Sequence, residues 1–238
     1  MRLAILITNT DFSNFAKRHP HDGEKFAAMI QSRRSNWRCD WFWACKGALP
    51  SDPDAFDGFI VTGSPASVTE DAPWMLALTA FLRDRLSDNT PIFGACFGHQ
   101  LIARALGSAI VRNPDGWGHG RLDVRQVGDA PWLGAVPETF SLYGSHIEQV
   151  DVAPPGADVV LRGPGCPVAG FARGCTLFTV QHHPEMSPEF IAALVEEYAD
   201  YVGDEVTRAA RASLSQPADN VAFAEAVCRF FEGAVAAR

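Results

Sequence analysis

Residues 94–100 read GACFGHQ, placing Cys96 between Gly94 and Gly98. The apolar run PIF leads in and the helical run QLIARALG leads out, so Cys96 falls where a strand turns sharply into a helix. That turn is crowded, and it needs small residues two positions before and two after the side chain it lifts. This is the logic of the nucleophile elbow, with sulfur in place of oxygen. A helix starting beside Cys96 aims N–H dipoles that favour a thiolate. The N–H of Phe97 lies beside any carbonyl the sulfur attacks, where it can stabilise an oxyanion. The competing reading is a buried thiol in a tight turn.

A cysteine nucleophile needs a base, and the chain offers seven histidines. The stretch QHHPE, 181–185, sits at the predicted carboxyl end of CTLFTVQHHPE, a strand expected to stop at Pro184. Side chains at i and i+2 of a strand share a face, so His183 and Glu185 point together and Glu185 can orient the imidazole. His182 projects the other way and reads as a packed histidine. A metal site lacks support, because adjacent strand residues diverge and no cysteine or carboxylate cluster completes a ligand set. A third stretch, TGSPAS at 62–67, has Gly63 to allow an unusual backbone turn and Pro65 to stiffen it. Such a loop can aim the Ser64 N–H at an oxyanion from the side opposite Phe97. Taken alone, it is a plain surface turn.

The elements that hold these stretches alternate. RLAILIT, WRCDWFWA, FDGFIVTG and TPIFGA read as strands, and DGEKFAAMIQSRR, APWMLALTAFLRDRLS and QLIARALG as helices, with Asp22 as a cap and Gly107 as a stop. Trp37, Cys39, Trp41 and Trp43 share one strand face, read as core or edge packing. This alternation implies a mostly parallel sheet covered on both faces, with the site beyond the carboxyl ends of its strands. From 108 to 175, short runs such as RLDVRQV, TFSLYG and DVVLR imply small antiparallel elements at one edge. SPEFIAALVEEYADYV is a helix capped by Ser187, and two more helical stretches, 205–214 and 217–235, follow. We expect one domain over 1–238, a catalytic core over 1–203 with a C-terminal helical extension over 204–238.

Bulk properties fit this. A 238-residue chain that is 47% hydrophobic is an ordinary globular composition, and a net charge of −8 disfavours nucleic acid and anionic membrane. The apolar run LAILI is too short for a signal-peptide core or a membrane span, which points to a cytoplasmic protein. The six cysteines contain no C-x-x-C pair, so most read as buried free thiols, with one cysteine carrying chemistry and five without.

TGSPAS, GACFGHQ and HHPE, in that order and about 30 and then about 85 residues apart, resemble the motifs of the class-I glutamine amidotransferases. The resemblance covers most of the chain. It implies a flavodoxin-like three-layer α/β sandwich, a Cys96–His183–Glu185 triad, oxyanion N–H groups on Ser64 and Phe97, and a γ-glutamyl thioester on Cys96 that water hydrolyses. YGSHIEQV, 143–150, looks like the family's substrate segment, implying Ser145 and His146, and likewise Gln100, as substrate neighbours. No cofactor is implied. Where the family loop has a second glycine this chain has Ser64, which would be strained if φ there must be positive. RHPHDGEKF and ASLSQPADNVAFAEAVCRFF look similar to the γ-glutamyl peptidases, a stand-alone branch. Three functions stay open: a γ-glutamyl hydrolase acting on a small-molecule substrate, an ammonia-supplying subunit whose partner is a separate synthetase, and a binding protein on the same fold. DGWGHGR, 115–121, reads as a substrate-side loop.

Overall fold

The computed structural model describes residues 1–237. Its strands are β1 (Arg2–Leu6), β2 (Arg38–Phe42), β3 (Gly58–Val61), β4 (Ile92–Ala95), β5 (Ile110–Arg112), β6 (Gly118–Gln126), β7 (Thr139–His146), β8 (Glu148–Val150), β9 (Asp158–Gly163), β10 (Cys166–Arg173) and β11 (Leu177–Val180). Its helices are α1 (Asp22–Arg33), α2 (Pro73–Ser87), α3 (Phe97–Ala105), α4 (Pro188–Glu197), α5 (Ala199–Val202), α6 (Asp204–Ser213) and α7 (Asn220–Ala236).

Nine strands form one sheet in the order β2-β1-β3-β4-β11-β10-β9-β6-β7. The first five are parallel, in the flavodoxin-like order. The rest join antiparallel, and β5 pairs with β8 in a separate two-stranded sheet. The antiparallel edge expected after residue 108 is therefore there, as a four-stranded continuation of the main sheet.

Alternation along β1 builds the layers. Leu3, Ile5 and Ile7 pack into one apolar cluster with Phe26 and Ile30 of α1 and Phe223, Val227 and Phe230 of α7. Ala4 and Leu6 face the opposite cluster, with Leu78 and Leu82 of α2 and Leu101 of α3. A strand buried on both faces reads as a continuous apolar run, as RLAIL does. Each fully buried large side chain contributes about 1.5–3 kcal/mol. The three phenylalanines of α7, Phe223, Phe230 and Phe231, all 0% exposed, thus make that helix the main cover of its face. Arg34 joins α1 to α7 by hydrogen bonds to Glu225 and Glu232 at 2.6–3.1 Å.

Three local expectations are corrected. The cap of α1 is His21, whose Nδ1 accepts from the Glu24 N–H while the Glu24 carboxylate accepts from the His21 N–H; Asp22 is already inside the helix. The 37–43 stripe is not all strand: β2 runs Arg38–Phe42, with buried Trp37 just before it and Trp41, on this edge strand, half exposed. β11 ends at Val180, so residues 181–185 are a turn rather than the end of a strand. Ser187 caps α4 as expected, accepting from the Phe190 N–H at 3.1 Å.

Candidate active site

Four segments meet beyond the carboxyl ends of the parallel strands: Thr8–Asn9 after β1, Thr62–Ser64 after β3, Cys96 after β4 and Gln181–Glu185 after β11. Cys96 has φ 48° and ψ −106°, one of three non-glycine residues with positive φ among those described. That conformation costs a side-chain-bearing residue about 1–3 kcal/mol and persists only where surroundings enforce it. Here β11 enforces it through the Cys96 N–H, which donates to the Val180 carbonyl at 2.9 Å, and α3 through the Gln100 N–H, which donates to the Cys96 carbonyl at 3.0 Å. The flanking glycines are required by space. A Cβ on Gly94 would lie 2.7 Å from the Ile102 methyl, and one on Gly98 would collide with the Val61 carbonyl oxygen. Phe97 opens α3, so its N–H has no acceptor within the helix.

His183 Nδ1 is 2.7 Å from Glu185 Oε1, and both side chains are nearly excluded from solvent. Burial by itself would lower the imidazole pKa. The neighbouring charges of Glu185 and Cys96, with hydrogen bonds to both, override it and hold His183 well above its ordinary value. The alignment of His183 with Glu185 was expected from strand alternation; the turn produces it instead. Its backbone is fixed by two partners. The His183 N–H donates to the Tyr143 carbonyl at 2.8 Å. The amide Nδ2 of Asn220, first residue of α7, donates to the carbonyls of His183, Pro184 and Met186 at 3.0, 3.0 and 3.1 Å.

Gly63 does not have positive φ, so the backbone freedom expected of it is not used. Its hydrogen is needed for room, since a Cβ there would stand 2.6 Å from His183 Cε1. Ser64 is likewise outside the positive-φ region, so serine stands there without strain. The loop is anchored from below by Thr8, whose Oγ1 donates to the Thr62 and Gly63 carbonyls at 2.9 and 3.0 Å.

Cys96, His183 and Glu185 share one cavity of about 1080 Å³ with Ser64, Phe97 and Gln100; Ser145 and His146 also line it. Gln100 Nε2 donates to the Glu148 carbonyl at 2.7 Å and to Gln181 Oε1 at 3.2 Å. His146 Nδ1 lies 3.3 Å from the Glu148 carbonyl, while the buried Ser145 Oγ has no partner among the described residues. Trp117, from the 115–121 stretch, reaches the cavity; His119 is buried beneath it. Sequence reasoning missed Gln181, whose amide approaches Cys96 Sγ at 3.7 Å, together with Thr8 and Asn220. Of these only Gln181 adjoins a recognised motif. His182 is packed, with its ring at right angles to His146. Burial pushes the thiols of part-buried Cys39 and of core Cys166 and Cys228 up to about 11, 12 and 12, away from reactivity.

Residues 33–193 match the family model for glutamine amidotransferase class-I, more than half of the chain. The chain belongs to that family. Class-I relatives cover most of it. Gamma-glutamyl peptidase 3 of Arabidopsis thaliana is 27% identical over 82% of this chain and 81% of its own length. The glutamine-hydrolyzing GMP synthase of Thermomicrobium roseum is 34% identical over 78% of this chain, which spans 32% of that longer protein. A crystal structure of a glutamine amidotransferase from Thermotoga maritima superimposes with a TM-score of 0.74 at 20% identity, covering 97% of each chain. No helix among the described residues is long and apolar enough to cross a membrane.

Proposed function

We propose that the chain hydrolyses a γ-glutamyl amide bond through a thioester on Cys96. The observation that carries this reading is the positive-φ Cys96 beside a buried His183 that is hydrogen-bonded to Glu185. His183 takes the Cys96 proton, and the thiolate attacks the γ-carbonyl carbon. The tetrahedral oxyanion accepts from the Phe97 and Ser64 N–H groups. His183 returns the proton to the leaving nitrogen as the C–N bond breaks, leaving the γ-glutamyl thioester. Water, deprotonated by His183, then attacks the thioester carbon and releases glutamate and the free thiol. Glu185 accepts from Nδ1–H throughout, holding the ring and offsetting the imidazolium charge. The amino-acid head group of the substrate falls to Gln100, Ser145 and His146, beside the Glu148 carboxylate and Arg112, which supply both signs of charge that a zwitterion needs.

The names of the Arabidopsis relatives support a γ-glutamyl peptide as substrate. The GMP synthase relatives support a second reading, in which this chain supplies ammonia to a separate synthetase. Release of glutamate from glutamine and from γ-glutamyl peptides should be compared for wild type and Cys96→Ala, with mass spectrometry after a γ-glutamyl electrophile. The hydrolase reading expects turnover and an adduct on Cys96, both lost in the variant. A folded protein without an adduct would falsify it. Glutaminase activity seen only with an added synthetase favours the second.

A further inference from the structure

The cavity is larger than a glutamine needs, since pockets of about 300–1,000 Å³ house drug-sized ligands. Much of its wall comes from residues 9–25, the loop after β1 and the start of α1, including the RHPHDGEKF stretch to which no role has yet fallen. Within that wall lies a nearly buried ion pair. Lys25 Nζ donates to Asp22 Oδ1 at 3.0 Å, with the two side chains 10% and 7% exposed. Asp22 Oδ2 accepts from Asn9 Nδ2 at 2.9 Å, so both carboxylate oxygens are engaged. Lys25 Nζ also lies 3.5 Å from the centroid of Phe190, in the first turn of α4, four residues past the end of HHPEM. An ammonium has three protons. One is taken by Asp22, one face is against the ring, and no other acceptor is present among the described residues. Asp22 holds the lysine, and the spare capacity belongs to Lys25.

Neighbouring acids on this wall are already used: Asp11 accepts from the Ser13 N–H and Glu24 from the His21 N–H, both at 2.8–2.9 Å. Gln100, Ser145 and Glu148, assigned above to the substrate head group, come from other elements, α3, β7 and β8. Of the two lysines on this wall, Lys17 is exposed and Lys25 is held in place, so Lys25 is left for the other end of the substrate.

We propose that Lys25 binds a carboxylate carried by the leaving group, so that the substrates are γ-glutamyl amino acids or peptides with a free C-terminus. This rests on the hydrolase reading above and deepens it. The matched probes are γ-glutamyl-glycine and γ-glutamyl-glycinamide, which differ only in that carboxylate. Wild type should favour the acid by about tenfold or more in kcat/KM, the size of one charge-assisted contact in a partly dry site. In Lys25→Met/Asp22→Asn, which removes both charges together and avoids stranding a buried carboxylate, acid and amide should be used alike. Lys25→Arg, which keeps the charge, should retain a preference for the acid. Equal use of the two probes by wild type, or a preference that survives the double variant, overturns the assignment while leaving the reaction standing. If no γ-glutamyl compound is turned over, the hydrolase reading fails instead. Calorimetric binding of the same two probes to Cys96→Ala, with and without the Lys25/Asp22 double change, then tests the carboxylate contact alone.

Discussion

At Cys96 the demands of chemistry and of stability oppose each other. A φ of 48° with ψ −106° suits glycine and resists every residue with a Cβ. Lifting the sulfur into the cavity requires that backbone, and packing of the glycine-flanked turn against Ile102 and Val61 holds it. The conflict can be measured with two inactive variants. At ordinary positions alanine is more stabilising than glycine, because it leaves the unfolded chain less freedom. Here the order should reverse, with Cys96→Gly more stable than Cys96→Ala by about 1 kcal/mol, or about 2–4 °C in melting temperature for a chain of this size. Thermal denaturation of the two proteins checks it. An alanine variant melting at or above the glycine variant would mean that the turn relaxes and that the strain is not imposed from outside.

Between elements, the decisive contact is that of α7 with the HHPE turn. The motif residues were legible from type and spacing, because a nucleophile, a base and an orienting carboxylate each need a particular functional group. What holds them is not so specified. Asn220 lies 37 residues beyond His183, and its amide serves three backbone carbonyls, which any sequence would present. Gly63 illustrates the same limit. The glycine was visible, but its cause, room for His183, depends on a turn more than a hundred residues away. The parallel half of the sheet was legible because strands buried on both faces are unbroken apolar runs; the end of β11 at Val180 was not, since Gln181–His182 continue the run in polar residues that are also buried. Asn220→Ala should therefore lower kcat by about tenfold or more, from loss of about 1–3 kcal/mol of hydrogen bonding on the turn. KM should change little, because Asn220 does not line the cavity. Steady-state kinetics with circular dichroism on the variant separates this from unfolding. A large KM increase with unchanged kcat would place the effect in the binding wall rather than in the turn.

Across the whole molecule, the carboxyl rim of the sheet buries five histidines with opposite tendencies. Burial, aided by the charge of His146, pushes His99 down to about 3. Burial pushes His119 and His146 down to about 4, and His182 well below its ordinary value. His183 alone is held up, where Glu185 faces it. The four depressed groups stay neutral in the folded state as pH falls below about 6.5, while the unfolded chain takes up their protons. The unfolded state then binds more protons, so stability falls with falling pH between about 6.5 and 4. His183 does not offset this, because its extra folded-state proton acts only above about 6.5, and its contribution is lost as pH rises through its raised value. Between those limits the four rings are neutral in the fold and protonated in the unfolded chain, and each proton so taken up contributes about 1.4 kcal/mol per pH unit to the decline. Urea unfolding at pH 7, 6 and 5, above the range where most carboxylates protonate, should show that decline. His119 offers a way to assign it, since both its ring nitrogens are buried without a partner among the described residues and the ring stacks on Tyr198. His119→Phe keeps the stack and removes one titrating group, so it should reduce the slope by about one proton, or about 1.4 kcal/mol per pH unit. A stability profile that is flat from pH 7 to 5, or unaltered in slope by His119→Phe, would show that these rings take up protons without unfolding the chain.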